Sequence, residues 1–120
     1  MEYNCTIIDV IGDEVTIKVE QIYIVGFANS GVSKNIGDEV KVDILLYDDL
    51  KICKSDKNET AIIRNGNSFS YSLYGILDVD NCILKSDIDF SIDKEELYNY
   101  GYLDGDWVRI DAIRIDIDFN

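Results

Sequence analysis

The chain has no histidine and no proline, and only one tryptophan, one methionine and three cysteines among 120 residues. Without histidine, the Ser-His-Asp type of triad and histidine-ligated metal sites are excluded, and a cysteine nucleophile would need some other base. Cys5, Cys53 and Cys82 are far apart and form no C-x-x-C pair, so the usual zinc spacings are missing too. A sparse, odd set of this kind is expected to stay reduced, as in a cytoplasm, and to pack as inert side chains in strand-like runs. The opening Met1-Glu2-Tyr3-Asn4 lacks the basic and apolar regions of a signal peptide. No apolar run approaches the roughly 18 residues that a membrane helix needs. Two sequons, Asn4-Cys5-Thr6 and Asn58-Glu59-Thr60, are read as chance matches in that setting. The lack of proline beside plentiful isoleucine, asparagine, aspartate and tyrosine suggests an AT-rich bacterial genome.

Positive charge is scarce as well. Eleven Lys and Arg face 24 Asp and Glu, giving a net charge of -13. Such a field repels nucleic acid and anionic membranes, because binding phosphate depends on Lys and Arg, and it attracts basic proteins and divalent cations. The charge is uneven: twelve acids and seven bases lie up to Asn65, and twelve acids and four bases after it.

What is abundant is period-two alternation of apolar and polar residues in runs dense with β-branched side chains, the signature of strands. No linker or low-complexity stretch interrupts it, so residues 1–120 are expected to be a single domain. Ile11-Gly12-Asp13-Glu14-Val15 recurs identically as Ile36-Gly37-Asp38-Glu39-Val40, and Gly105-Asp106-Trp107-Val108 is a looser copy. The spacing is too irregular for a solenoid, and each copy reads as a turn that leads into a strand: Gly tolerates positive φ and Asp accepts local backbone bonds.

Three hairpins can be given registers. A two-residue loop at Gly12-Asp13 sets Val10 opposite Val15 and Ile8 opposite Ile17. A two-residue loop at Asn65-Gly66 sets Ile62 opposite Phe69 and Thr60 opposite Tyr71. A four-residue loop at Asp78-Val79-Asp80-Asn81 sets Leu77 opposite Cys82, Leu73 opposite Ser86 and Tyr71 opposite Ile88. The last two share an inner face of Ile62, Phe69, Tyr71, Leu73, Leu77, Leu84, Ile88 and Phe90. On it Gly75, opposite Leu84, marks a bulge or close-packing point. One short helix is expected over Lys94–Tyr100, with Asp93 as cap, Glu96 completing a capping box and Gly101 as terminator. In the final run Trp107–Phe119 the apolar parity is even through Val108, Ile110 and Ala112, then odd from Ile113. A strand cannot change faces without a bulge or bend, which is predicted at Asp111–Ile113.

The fold class read from these features is all-β, mainly antiparallel: a small barrel or a two-sheet sandwich with one short helix near residues 94-100. The Gly-Asp turns that lead into strands resemble those of OB-type and SH3-like small barrels, a resemblance of architecture that implies no activity.

No catalytic set stands out, since carboxylate pairs are everywhere, so the chain is read as a non-enzyme without a cofactor. Asp78-Val79-Asp80-Asn81 begins like a calcium loop, but Cys82 holds the fifth position and no Gly holds the sixth, so no metal site is assigned. Arg114, Asp116 and Asp118 are expected on one solvated face beyond the bend. The leading expectation is an acidic protein-binding module, of the kind represented by an immunity protein that neutralises a basic toxin. Charge complementarity would steer its association. The candidate partner-binding residues are Asp104, Asp106, Asp111, Asp116 and Asp118, with Tyr100, Tyr102 and Trp107 as apolar anchors. The alternative is a β-barrel domain that holds a small molecule or a divalent cation in its mouth. Nucleic acid and membrane are not expected partners.

Overall fold

The computed structural model describes residues 1–119. Its strands are β1 (Glu2–Ile11), β2 (Glu14–Val19), β3 (Ile22–Ala28), β4 (Glu39–Leu46), β5 (Lys51–Lys54), β6 (Ala61–Arg64), β7 (Tyr71–Asp78), β8 (Ile83–Lys85), β9 (Asp89–Ser91), β10 (Trp107–Ala112) and β11 (Ile115–Phe119).

The first four strands and the last close a five-stranded barrel in the order β1-β2-β3-β11-β4, with β4 returning to β1. Its neighbours are antiparallel except β3 and β11, which run parallel through Asp116↔Phe27 and Ile117↔Ala28. This connectivity resembles that of OB-type barrels. The parallel seam needs Gly26: a Cβ there would lie 2.6 Å from Ile117 Cδ1 and 3.0 Å from the Ile115 carbonyl oxygen. Alternation fills the interior with fully buried Ile7, Val15, Ile17, Ile24, Ile44, Ile115 and Ile117.

Residues 47–114 form an insertion into this barrel. The chain leaves after β4 and returns at β11, and the two ends are adjacent: Leu46 pairs with Ile115, and the Tyr47 N–H donates to the Arg114 carbonyl at 3.0 Å. The inserted segment builds a second sheet in the order β5-β10-β7-β8-β9, with β6 also on β7. Along one edge β7 pairs with β10 throughout. Along the other it pairs first with β6, over Tyr71–Tyr74, and then with β8, over Ile76–Asp78. Gly75 sits at the changeover. A Cβ there would lie 2.2 Å from the Lys85 carbonyl oxygen, so the expected close-packing point is real, and its neighbour is backbone.

One buried cluster runs through both sheets and includes Tyr71, Leu73, Leu77, Leu84, Phe90, Val108 and Ile110 of the second. The seam between them carries a few polar contacts. β3 meets β11 only at its last two residues, and the Val25 N–H donates instead to the Tyr71 hydroxyl oxygen at 2.8 Å. Tyr3 donates its hydroxyl to the Asp89 carbonyl, Arg64 pairs with Glu14 at 3.3 Å, and Phe27 meets Phe69 edge to face at 5.8 Å.

Several expectations are corrected. No α-helix forms among the described residues at 94–100; two 3-10 turns, Lys94–Leu97 and Gly101–Leu103, stand there instead. Asp93 makes no capping bond, and Glu96 turns away to accept the Asp49 and Leu50 N–H groups at 3.1 and 3.3 Å, while Gly101 starts the second turn rather than ending a helix. The side-chain bonds that a capping box would use tether the residues leading into β5 instead.

The first hairpin keeps its two-residue loop, with Ile11↔Glu14 and Val10↔Val15, but a bulge between Ile7 and Asp9 sets Ile7, not Ile8, opposite Ile17. Ile8 is consequently 37% exposed. The bulge lies where Ile7 exchanges backbone bonds with Gly37 and Asp38 at 2.7 and 3.0 Å.

The Asn65-Gly66 loop is longer than two residues: Arg64 pairs with Tyr71 and Ile62 with Leu73. Its extra residues are tied across by the Asn65 N–H to the Ser70 carbonyl at 2.9 Å and the Ser68 hydroxyl to the Asn65 carbonyl at 2.6 Å. The next loop is Val79–Cys82, which sets Leu77 opposite Leu84; Cys82, expected in a strand, takes φ 54 in the turn. The predicted change of face does occur. β10 ends at Ala112, Ile113–Arg114 bend, and the chain passes from the second sheet to the barrel.

Candidate functional site

The end of the second sheet farthest from the bend is built by three short connections that hold one another. In the Val79–Cys82 turn, both carboxylate oxygens of Asp78 take Asn81, from its N–H at 3.1 Å and its Nδ2 at 2.9 Å. These bonds, and then Lys85 at 3.7 Å, hold the Asp78 carboxyl below the usual carboxylate range. Asp104 Oδ1 accepts the Val79 N–H at 2.9 Å. At the Gly105 turn, where Gly105 has φ 79, its N–H donates to the Leu77 carbonyl at 2.8 Å and the Leu77 N–H to the Asp106 carbonyl at 3.1 Å. The 3-10 turns bury Leu97 and Leu103 and turn their tyrosines outward: Tyr98 is 69% exposed and Tyr102 75%. The Tyr100 and Tyr102 rings lie 6.4 Å apart. Between these connections runs a groove of about 470 Å³ with Val79, Leu97 and Tyr98 as apolar wall and Asp80 and Lys94 as its charges.

Charge follows the architecture. Residues 78–106 carry nine acids against two bases, a net of -7, and the barrel residues 1–46 and 115–120 carry ten against three, also -7. The rest of the insertion, 47–77 and 107–114, carries five acids against six bases and is +1.

Of the residues singled out from sequence, Tyr100, Tyr102, Asp104 and Asp106 meet at this tip. Trp107 opens β10 on the face turned away from the core. Asp111 lies further along that face, bonded to the Ser72 hydroxyl at 2.8 Å and Arg109 Nε at 2.9 Å. Asp116 and Asp118 are in the barrel, beyond the bend, so the eight residues do not form one surface. Asp118 pairs across from Asp43 and lies 3.5 Å from the Ser30 hydroxyl.

The solvated face expected beyond the bend is corrected. Asp116 is 4% exposed and accepts two bonds from Arg114, at 2.6 and 3.0 Å. The Arg114 guanidinium is stacked between the rings of Phe27, at 4.6 Å, and Tyr47, at 4.0 Å. Its bond to Asp116 raises the guanidinium above its ordinary value. This cluster clasps the two ends of the insertion.

Sequence reasoning left Tyr98, Asp80, Asp93 and Glu95 out of the site. The available signal was Leu97: burying it in a turn that is not a full helix leaves Tyr98 facing solvent. No group of three or more acidic or cysteine side chains among the described residues is arranged to hold a metal ion, and no helix there is long and apolar enough to cross a membrane. All three cysteines are free thiols.

A family model described as "Uncharacterised conserved protein UCP019853" matches residues 1–120, and the chain belongs to that family. Neither the curated proteins nor the solved structures give a significant match.

Proposed function

We propose that this family member is a non-enzymatic, acidic protein-binding module that docks a basic protein at the tip of its second sheet, in the manner of an immunity-type antagonist. The observation that carries the reading is the pairing of solvent-facing Tyr98 and Tyr102 with an excess of carboxylates, Asp80, Asp93, Glu95, Asp104 and Asp106, against Lys94. Tyrosines supply large contact area with a polar end, and the surrounding carboxylates steer a cationic partner toward them. A 3-10 segment pinned by buried Leu97 and Leu103 presents the rings with little ordering left to do on binding.

The alternative of a ligand in the barrel mouth has less support, because aliphatic side chains fill the interior. Nucleic acid is likewise disfavoured by the net charge of -13, since binding phosphate depends on Lys and Arg. A cytoplasmic place, in a bacterial cell, fits the three free thiols.

The test is affinity capture from the native cell extract by the wild-type chain and by an Asp80→Lys/Glu95→Lys/Asp104→Lys variant. The expected result is a basic protein retained by the first and lost from the second, with association slowing as salt rises. Capture of the same protein by both, or of none, refutes the reading.

A further inference from the structure

The outer face of the second sheet differs from the rest of this acidic molecule. In β10 and β7 the core takes Val108, Ile110, Leu73 and Leu77, which leaves Trp107, Arg109, Ser72, Tyr74 and Ile76 pointing away from it. A solvent-facing sheet face would ordinarily be polar at these positions. Here Trp107 is half-buried opposite Ile76, Tyr74 is half-buried opposite Arg109, and Ile63 on the adjoining β6 is 48% exposed.

Cations surround this apolar centre. The Arg109 guanidinium and the Lys57 ammonium each lie 5.8 Å from the centre of the Tyr74 ring. Lys51 stands next to Asp111 on the edge strand β5. The two acids on β7 and β10 are already engaged, Asp78 with Lys85 and Asp111 with Arg109, whereas no carboxylate among the described residues lies within ion-pair distance of Lys51 or Lys57. At the edge of this face Asp49 shares a groove with Lys51 and Arg109.

We infer that this face is a second docking surface, opposite in charge to the tip, and that its occupant is an acidic polypeptide segment carrying aromatic or aliphatic side chains. The segment's carboxylates meet Lys51 and Lys57, and its apolar side chains cover Tyr74, Trp107 and Ile63. A nucleic-acid strand would also find aromatics here, but it has no aliphatic side chains to cover Ile63 and Ile76, and its affinity depends on neutralising many phosphates, for which this face offers few cations. The inference is independent of the partner assigned to the tip.

Trp107 is the single tryptophan, so its emission reports on this face directly. The experiment titrates the full chain with a random glutamate–tyrosine copolymer and, separately, with an oligothymidylate, exciting tryptophan alone. The expected result is a saturable change in Trp107 emission with the copolymer, weakened about tenfold or more by Lys51→Glu/Lys57→Glu and by added salt. Both lysines are on the surface, and an unchanged urea midpoint certifies that variant's fold. Asp80→Lys/Glu95→Lys/Asp104→Lys, at the tip, is expected to leave copolymer binding in place, and the thymidylate is expected not to bind. No saturable change, a change indifferent to the lysine reversals, or thymidylate binding as tight as the copolymer's would each overturn the inference.

Discussion

In the barrel, β2 and β3 pair without a slip from Glu14↔Phe27 to Val19↔Ile22, and the interior is mainly aliphatic. In the inserted sheet the central strand β7 changes partner halfway, at Gly75, and two of the connections around it are four residues or longer. The barrel therefore draws its stability from a closed edge and from ladders interrupted only at the Ile7–Asp9 bulge and the short β3–β11 seam. The inserted sheet depends on a few close contacts, and it carries the two most exposed tyrosines, Tyr98 and Tyr102, and the most uneven charge. On the proposed reading the difference separates roles: the barrel is scaffold, and the inserted sheet presents the two proposed surfaces from a point where Arg114, Asp116, Phe27 and Tyr47 clasp it to the barrel.

The sharpest way to break this comparison is at the two close-packed glycines. Gly75→Ala sets a Cβ against the Lys85 backbone, which cannot swing aside, and is expected to cost about 3 kcal/mol in urea unfolding. Gly26→Ala in the barrel meets the Ile117 side chain first and backbone only at 3.0 Å, so it should cost less, about 1 kcal/mol. Equal losses at both positions would erase the distinction between the two regions.

Between them in size falls Tyr71→Phe. It removes the acceptor of the Val25 N–H at the seam, for an expected loss of about 2 kcal/mol by the same measurement. A neutral Tyr71→Phe would mean that the seam is held by packing alone.

A smaller effect is expected from pH, and it starts in the barrel. Burial pushes Tyr3 up to about 12 and Cys5 up to about 11, from ordinary values of 10.0 and 9.0. Both sit on β1. A value higher in the folded state means that the fold favours the protonated form. Their contribution is complete below about pH 9 and is lost as pH rises through 9 to 12. Urea midpoints should hold to pH 9 and then fall, with Tyr3→Phe removing the upper part of the decline. The smallest effect is on stability at the tip: Asp80→Lys, Glu95→Lys or Asp104→Lys should each move it by about 0.5 kcal/mol or less. Asp104, which accepts the Val79 N–H, should be the largest of the three.

The parity of the strands was legible in the sequence, and their exact registers were not. Burial of one face penalises a shift by one residue heavily and a shift by two not at all. The Asn65-Gly66 hairpin slipped by four residues and the Val79–Cys82 hairpin by two. Of the expected inner face, Tyr71, Leu73, Leu77, Leu84, Ile88 and Phe90 are buried all the same, while Ile62 and Phe69 are half-buried. The only odd shift, the bulge beside Ile8, exchanged Ile7 and Ile8 between core and surface. Its cause is the Gly37-Asp38 turn, thirty residues on and invisible to local periodicity. The bend before β11 was legible because parity changes there. The burial of Asp116 was not, because the rings that stack on Arg114 come from β3 and the end of β4. The helix expected at 94–100 failed for a related reason: Glu96 serves the backbone of Asp49 and Leu50 rather than its own turn. At the site, Tyr100, Tyr102, Asp104 and Asp106 are neighbours in sequence and remain so in space. Asp80 reaches them only through the hairpin.

Hydrogen exchange on the chain with and without its captured basic partner tests the central claim most directly, because it maps protection along every strand at once. The account predicts slowed exchange at 79–82 and 94–106 and unchanged exchange across β1 to β4. Protection confined to the barrel, with the tip exchanging as freely as in the unbound chain, would contradict it.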